Sequence, residues 1–468
     1  MLPVDYGALR WVPDAPSYVM SATTVSDGQR AIRDVIETFG VLARATPDDV
    51  SRAAHELLGI DPLGGDLGQL LGVDLAGGVA MFSEDVSPTF ALHLAKPEVT
   101  RAFFDHMRSI GMHATSTTID GVQVDSAPLR DGVTASWAID GDWFLFHVAL
   151  AAFDHGGDPD AWLVHARHHA AQKPTWIDGF EWATRLARHA KPLAGFWNAH
   201  ATLAKLATSA GDHHGLAICM ASLASIERVG ITISGDGHFA EARLAFDVGS
   251  AAPPPSALLA PPPGFAALAS TAAIAAQWNY PLDAFVTTGI GKCLIAAEYD
   301  VAALQHETGA RAGRVAIESF TQDPPAGTGA VSLDLSSTAH VASLLGEIPS
   351  VAFKSERTFG TYKGTHVSIP LVASLDYVLD DHVAMAAMGD GLLDQLVAGA
   401  PAASVPIFAF DIRPPALNDA TWHFLLGQLW GRSESEPIVR QLENWRDGHI
   451  SLAIDHDALV LDASGNRR

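Results

Sequence analysis

The sequence predicts an α+β protein made of two related lobes from an internal duplication, each a mainly antiparallel sheet with helices packed on one face. One series of strand, helix and hairpin patterns occurs twice in the same order, which is typical of a repeated unit. A proline-rich stretch separates the two series. Runs of strands are broken by helices without strict strand–helix alternation, as in α+β folds.

The length and composition favour two domains. A chain of 468 residues exceeds what one hydrophobic core usually supports. The predicted domains are a first lobe over residues 1–249, a linker over 250–263, and a second lobe over 264–468, and the first lobe contains a helical insertion at about 150–225. The linker is predicted because proline has no N–H to donate to a helix or a sheet.

Each copy of the repeat begins with a strand and a helix. Residues 89–94 alternate as a strand, and Pro97 suits the first turn of the helix that follows. Residues 330–335 are the matching strand in the second copy, and they are also followed by a helical pattern. Near the N-terminus, Ser26 or Asp27 is predicted to cap a further helix.

Hairpins come next in both copies. Gly121 and Gly364 are predicted turn glycines between strand-like stretches. Asp140-Gly141 is predicted as a two-residue hairpin turn in which both residues have positive φ, and Asp380-Asp381 is its weaker counterpart. Each copy then closes with one more strand and a final hairpin.

Charge and cysteine content narrow the classes of partner and compartment. The formal charge of −24 and the lack of a basic cluster argue against nucleic acid and anionic membranes. No apolar run is long enough for a transmembrane segment. Cys219 and Cys293 are expected to be buried free thiols, and a bridge in an oxidising compartment is the alternative.

Short motifs resemble a family of exported bacterial proteins of unknown function. They lie at residues 58–62, 71–74, 77–80 and 120–122, and the resemblance is clearest over 55–148. It implies export, often with a lipid anchor or membrane tether, and it implies no activity. The N-terminus has no signal-peptide pattern. A mature periplasmic or cell-envelope form is therefore expected, with a cytoplasmic protein as the alternative.

A histidine cluster is the candidate metal site. His165 and His169 would lie one helical turn apart on one face, as a zinc-binding pair requires, and His155 could complete the site. A solvated, histidine-rich helix face is the alternative interpretation. The metal-site interpretation predicts a metal-dependent hydrolase that uses zinc.

Tryptophan residues define a candidate ligand groove between the lobes. They are Trp176, Trp182 and Trp197 in the first half, and Trp422 and Trp430 in the second. Core packing is the alternative interpretation, because aromatic residues at helical spacing usually face inward.

Motifs for phosphate binding, dinucleotide binding and serine hydrolysis all fail at positions that their chemistry needs. Together with the duplication and with the export that the family resemblance implies, these failures predict a non-enzymatic exported or envelope-associated protein. It would bind a protein partner or an apolar small molecule, or it would have a structural role. The alternative is the metal-dependent hydrolase.

Overall fold

The structure is a computed structural model that describes most of the chain. The described residues are 6–40, 46–58, 60–84, 86–130, 132–150, 162–164, 176–188, 192–200, 202, 225–249, 253–296, 309–322, 325–346, 352–369, 373–402, 404–430, 432–455 and 458–468. They fall into two compact units. The first consists of described residues within Met1–Leu206 and Ile226–Asp247, and the second of those within Ala207–Ser225 and Val248–Arg468.

The described strands of the first unit pair in one antiparallel array. They are β1 (Tyr18–Ala22), β2 (Val79–Ser83), β3 (Thr89–His93), β4 (Thr115–Ile119), β5 (Val122–Arg130), β6 (Val133–Asp140), β7 (Trp143–Leu150), β8 (Leu193–Trp197), β9 (Arg228–Gly235) and β10 (Phe239–Asp247). Their order is β4-β5-β6-β7-β3-β2-β1-β8-β9-β10. Strand β1 thus lies between β2, which follows soon after it, and β8, which comes much later in the chain.

The described helices of the first unit occupy the connections between these strands. They are α1 (Val25–Phe39), α2 (Pro47–Leu58), α3 (Asp66–Leu70), α4 (Pro97–Ser109) and α5 (Ile177–Arg185), and a 3-10 helix spans Gly7–Trp11. Pro97 occupies the first turn of α4, as predicted. The predicted cap of α1 is corrected: Thr24 caps it, and its hydroxyl oxygen accepts the Asp27 N–H at 3.0 Å.

Helices cover both faces of the first-unit sheet, which corrects the prediction of one covered face. On one face, a Cβ at Gly235 in β9 would meet the side chain of Asp34 in α1. On the other face, a Cβ at Gly230 would meet Trp182 and Ala183 of α5. Strand side chains alternate between faces, and these two glycines are an odd number of residues apart. Helices α1 and α5 therefore lie on opposite sides of β9.

The strands of the second unit also form one antiparallel array. They are β11 (Ile274–Trp278), β12 (Ala310–Gln322), β13 (Pro325–Leu335), β14 (Phe353–Phe359), β15 (Tyr362–Ile369), β16 (Ala373–Asp380), β17 (Val383–Met388), β18 (Phe408–Ile412), β19 (Trp445–Asp455) and β20 (Ala458–Arg467). Their order is β14-β15-β16-β17-β13-β12-β11-β18-β19-β20. This is the same order as in the first unit, strand for strand.

The second unit also has helices on both faces of its sheet. Its described helices are α6 (Phe265–Thr271), α7 (Leu282–Phe285), α8 (Gly289–Ala296), α9 (Ala339–Gly346), α10 (Leu392–Val397), α11 (Asp419–Trp430) and α12 (Arg432–Leu442), with 3-10 helices at Pro255–Ala257 and Pro414–Ala416. Phe265 of α6 and Leu393 of α10 share a buried core with Ala275 of β11. Trp278 of β11 packs edge-on against Phe285 of α7. Because residues 275 and 278 point to opposite faces, α6 and α7 do too.

The strand pairing places three of the predicted turns at other residues than the sequence suggested. Asp140 pairs with Trp143, so the turn residues are Gly141 and Asp142, one position later than predicted. Gly364 lies inside β15, and the turn before that strand contains Gly360, with φ of 57°. The Asp380-Asp381 turn likewise shifts by one, since Asp380 pairs with Val383.

The turn at Gly121 is confirmed. Ile119 pairs with Val122, which leaves Asp120 and Gly121 as the two turn residues. Their φ values are 48° and 79°. Both are positive, as the tight hairpin turn between twisted strands requires.

The described part of the proline-rich segment is hydrogen bonded within the second unit. Leu259 donates its N–H to the Asn279 carbonyl at 2.8 Å. The Leu259 carbonyl accepts Nη2 of Arg314 at 2.6 Å. Arg314 also donates Nε to Asn279 Oδ1 at 2.7 Å and Nη1 to Asp334. Burial lowers the pKa of Arg314, and the charge of Asp334 opposes that shift.

Among the described residues, no helix combines the length and the apolar character that crossing a bilayer requires.

Candidate functional site

One face of the first-unit sheet carries a row of large apolar side chains. The row consists of Met20, Met81, Phe90, Phe146 and Trp137, from β1, β2, β3, β7 and β6. Each residue lies directly opposite the next one across the antiparallel ladder, so all five project from the same face. They form an apolar floor that crosses five strands.

Helices α1, α3 and α4 lie over this floor. Leu67 of α3 and Phe104 of α4 are buried in one cluster with Phe144 of β7. Helix α1 approaches the sheet closely at Gly28, where an added Cβ would lie 3.1 Å from the Cβ of Ala22. A larger residue at position 28 would push the helix away from β1.

A cavity of about 460 Å³ remains between the floor and the helices. Small-molecule sites in proteins usually occupy roughly 300–1,000 Å³, so the volume suits a small ligand. All of its lining residues belong to the first unit. Val50 of α2 lines the cavity and is also 36% exposed, which places α2 on the solvent side.

Methionine and aromatic side chains are prominent in a lining that is otherwise mainly aliphatic. Four of the eight methionines in the chain contribute to it: Met20, Met81, Met107 and Met112. Methionine is flexible and polarisable, and it adapts to ligands of irregular shape. Five phenylalanines and Trp137 add aromatic surface, and leucine, isoleucine and valine supply most of the rest.

Apart from the indole N–H of Trp137, the polar side chains among the described lining residues are those of Ser21 and Gln29, and their donors are already used. Ser21 donates its hydroxyl to the Val79 carbonyl at 2.7 Å. Gln29 donates its amide nitrogen to the carbonyls of Pro62 and Gly64 at 2.8 and 2.9 Å. None of the described lining residues carries a charge. The described lining is thus almost wholly apolar and uncharged, and the donors of Ser21 and Gln29 are committed to backbone carbonyls.

The predicted metal site lies outside the described residues. His155, His165 and His169 all fall in the ranges 151–161 and 165–175, about which the structure gives no description. Within the described part of the chain, no three histidine, cysteine or acidic side chains gather as metal ligands would. The zinc site therefore stays a prediction, and so does the state of Cys219, which is also outside the described residues.

The tryptophans proposed for the groove lie in several environments, and none of the four whose side chains the structure describes lines the cavity. Trp176 is buried and packs edge-on against Phe180 in the core on the opposite face of the sheet. The Arg228 guanidinium lies 4.8 Å from the ring centroid of Trp182. Trp197 is half-buried in β8.

The second unit holds the remaining two tryptophans of that prediction. Trp422 is buried and donates its indole N–H to the Pro414 carbonyl at 3.1 Å. Trp430 ends α11, and its side chain is outside the described part. The inter-lobe groove stays a prediction.

The sequence did contain a signal for the cavity residues. In β2 and β3, apolar residues occupy both faces, since Ala80 and Ala91 lie in the opposite core while Met81 and Phe90 line the cavity. A strand with two apolar faces must be covered twice. The large residues lie on the face that borders the cavity, and the alanines lie on the face that packs against the opposite core.

A carboxylate–imidazole–hydroxyl chain crosses β18 and β19 of the second unit. Asp411 Oδ1 lies 2.8 Å from Nδ1 of His449, and Nε2 of that ring lies 3.0 Å from Ser451 Oγ. This is the order of groups in a serine hydrolase. However, β19 pairs with strands on both sides, so the backbone N–H groups near Ser451 are committed to the ladder. An oxyanion hole needs free donors, and we assign the chain to hydrogen bonding within the sheet.

Comparisons with known proteins add little to this geometry. No family model matches the chain. No curated protein matches it either. Among solved structures, crystal form I of TP0453 matches with a TM-score of 0.30 and 12% identity, over 53% of this chain and 81% of that one. Crystal form III gives a TM-score of 0.31 and 11% identity, over 53% and 82%.

Proposed function

We propose that this protein is a non-enzymatic binding protein that holds an apolar small molecule in the first-unit cavity. The observation that supports the proposal is the cavity itself: about 460 Å³ of space lined almost entirely by methionine, aromatic and aliphatic side chains. An unfilled cavity destabilises a protein, because the atoms around it lose packing contacts. A bound apolar molecule restores those contacts and removes its own surface from water.

Two further parts of the proposal concern origin and location. The identical strand order of the two units supports an internal duplication, after which the units acquired different interiors. The short motifs that resemble exported bacterial proteins support a role in the periplasm or the cell envelope. Binding and carrying an apolar molecule through an aqueous compartment is a task that suits such a location.

The test is titration of the purified chain with an uncharged apolar fluorophore, N-phenyl-1-naphthylamine, followed by calorimetry. Saturable binding with one site per chain is expected. At a free probe concentration of 100 times Kd, the free energy of unfolding of the first unit should rise by about 2.7 kcal/mol. Failure to saturate, or binding without any stabilisation, contradicts the proposal.

Variants locate the binding site. Ala135 is 2% exposed and lines the cavity, so in Ala135→Phe the added ring enters it and should weaken probe binding at least tenfold. If that variant loses stability, Val50→Trp makes the same test at the 36% exposed rim. Leu70→Trp is the matched control, because Leu70 is 40% exposed and does not line the cavity. Equal binding by Val50→Trp and Leu70→Trp places the probe elsewhere.

A further inference from the structure

The polar groups around the cavity limit the charge of the ligand. Binding an anionic head group inside a protein needs N–H or O–H donors, and an ionised carboxylate without them is strongly disfavoured. Here Ser21 donates to Val79, and both amide hydrogens of Gln29 go to Pro62 and Gly64. The Ser21 bond joins β1 to β2, and the Gln29 bonds hold α1 to the loop before α3, so releasing them would loosen the wall of the cavity.

The atom left over on the Gln29 side chain is an acceptor. The carboxamide oxygen of Gln29 has lone pairs, and lone pairs repel an anion but accept a hydroxyl group. The described lining contains no lysine, arginine or histidine that could neutralise a carboxylate or a phosphate. An ionised group would therefore meet no opposite charge on the described lining.

On the basis of the proposed function, we infer that the ligand is a neutral lipid, such as a long-chain alcohol, and that the cavity rejects an anionic lipid of the same chain length. The ligand chain packs against the methionine and aromatic surfaces. A hydroxyl head group donates to the carboxamide oxygen of Gln29. An ionised fatty acid of equal length loses its hydration and gains nothing in return.

The experiment compares dodecanol with dodecanoate at pH 8, each displacing the bound fluorophore from the full chain. We expect dodecanol to displace it with a Kd at least tenfold lower. The net charge of −24 also repels anions at long range. Measurements in 0.1 M and 1 M NaCl separate the two effects, because 1 M salt shortens the Debye length to about 3 Å. The preference should persist in 1 M salt.

A charge placed inside the cavity should reverse the preference. Met107 is half-buried in α4 and lines the cavity, so Met107→Lys supplies an ammonium donor on a flexible stem. This variant should bind dodecanoate at least tenfold more tightly than the natural chain does. Ile110→Lys is the control, since Ile110 is 65% exposed at the end of the same helix and does not line the cavity. It adds the same charge outside, and dodecanoate affinity should stay within about twofold.

The possible outcomes are distinct. If neither compound displaces the fluorophore and the fluorophore itself does not bind, the proposed function fails. If dodecanoate displaces the fluorophore as well as dodecanol does in 1 M salt, the inference about ligand charge is overturned while the binding function stands. An equal gain in Met107→Lys and Ile110→Lys also overturns it, because the effect then comes from net charge alone.

Discussion

The ring of Phe104 stacks on the indole of Trp137, with centroids 4.3 Å apart and planes 14° from parallel. Phe104 belongs to α4 and Trp137 to β6, so this contact joins the helical cover to the floor of the cavity. Offset stacking of aromatic rings stabilises a fold by about 0.5–1.5 kcal/mol beyond the burial of their area. The pair thus sets the distance between α4 and the sheet.

Removing one ring of this pair should lower stability and enlarge the cavity. Phe104→Ala is expected to lower the free energy of unfolding by about 3 kcal/mol. This is the lower end of the range for truncating a buried phenylalanine, because the neighbouring side chains can shift into the existing cavity. Denaturant unfolding measures this loss. Ile110→Ala, at a site that is 65% exposed, should change stability by less than about 0.5 kcal/mol. Similar losses in both variants would mean that Phe104 does not join α4 to the sheet.

The buried guanidinium of Arg314 should depend on its partner Asp334. The side chain of Arg314 is 1% exposed, so Asp334→Asn leaves a positive charge without its counterion and should destabilise the protein by roughly 3–5 kcal/mol. Asp283→Asn is the matched control. Its partner Arg311 lies 3.9 Å away and both side chains are exposed, so the loss should stay below about 1 kcal/mol. Thermal unfolding of the two variants in parallel distinguishes them.

The N-terminus of α2 should be sensitive to acid. Hydrogen bonds from Thr46 hold the pKa of Asp49 below its ordinary value of 3.8. Because the folded-state pKa is the lower one, the stabilisation is complete above the unfolded-state pKa and is lost as pH falls through the folded-state pKa. The stability difference between the natural chain and Asp49→Ala should therefore be constant from about pH 5 to 8 and shrink below about pH 3.8. Thermal melts at each pH measure that difference, and a difference that grows on acidification contradicts the assignment.

Position 72 should accept glycine only. Gly72 has φ of 65°, and a Cβ there would collide with the carbonyl oxygen of Lys96. Gly72→Ala therefore combines backbone strain with a clash and should cost about 3 kcal/mol or more of stability. Gly121→Ala introduces backbone strain alone, since nothing lies within 4 Å of the added Cβ. Its expected loss of stability is about 1 kcal/mol. Chemical denaturation of both variants gives the comparison, and equal losses would show that Lys96 moves aside.

The alternation of apolar residues over 89–94 and the placement of Pro97 were enough to predict β3 and α4, but β1 and α3, which also frame the cavity, were not predicted. Turn positions were harder, because one residue of register decides which pair forms the loop. Asp140-Gly141 has the composition of a tight turn, yet Asp140 pairs with Trp143 in the ladder. Pairing across strands outweighed the local preference of the turn residues.

The candidate site was harder to predict than the fold. Sequence reasoning favoured rare residues, such as clustered histidines and tryptophans, because they stand out in a list of letters. The cavity is lined instead by ordinary core residues, and Phe90 and Phe146 become neighbours only when β3 pairs with β7. The two apolar faces of β2 and β3 are visible in the sequence, but a void arises from how well facing surfaces fit, and that fit depends on three-dimensional packing.

The position of β1 has a consequence for synthesis on the ribosome. Tyr18 pairs with Trp197, so the first strand acquires its second neighbour only after most of the unit has been translated. At translation rates of about 5–20 residues per second, that interval is on the order of ten seconds or more. During this interval the edge of β1 presents unpaired backbone N–H and C=O groups, which can pair wrongly with other polypeptides. The same delay recurs for β11, which waits for β18, so a chaperone that shields sheet edges should raise the yield of the native protein.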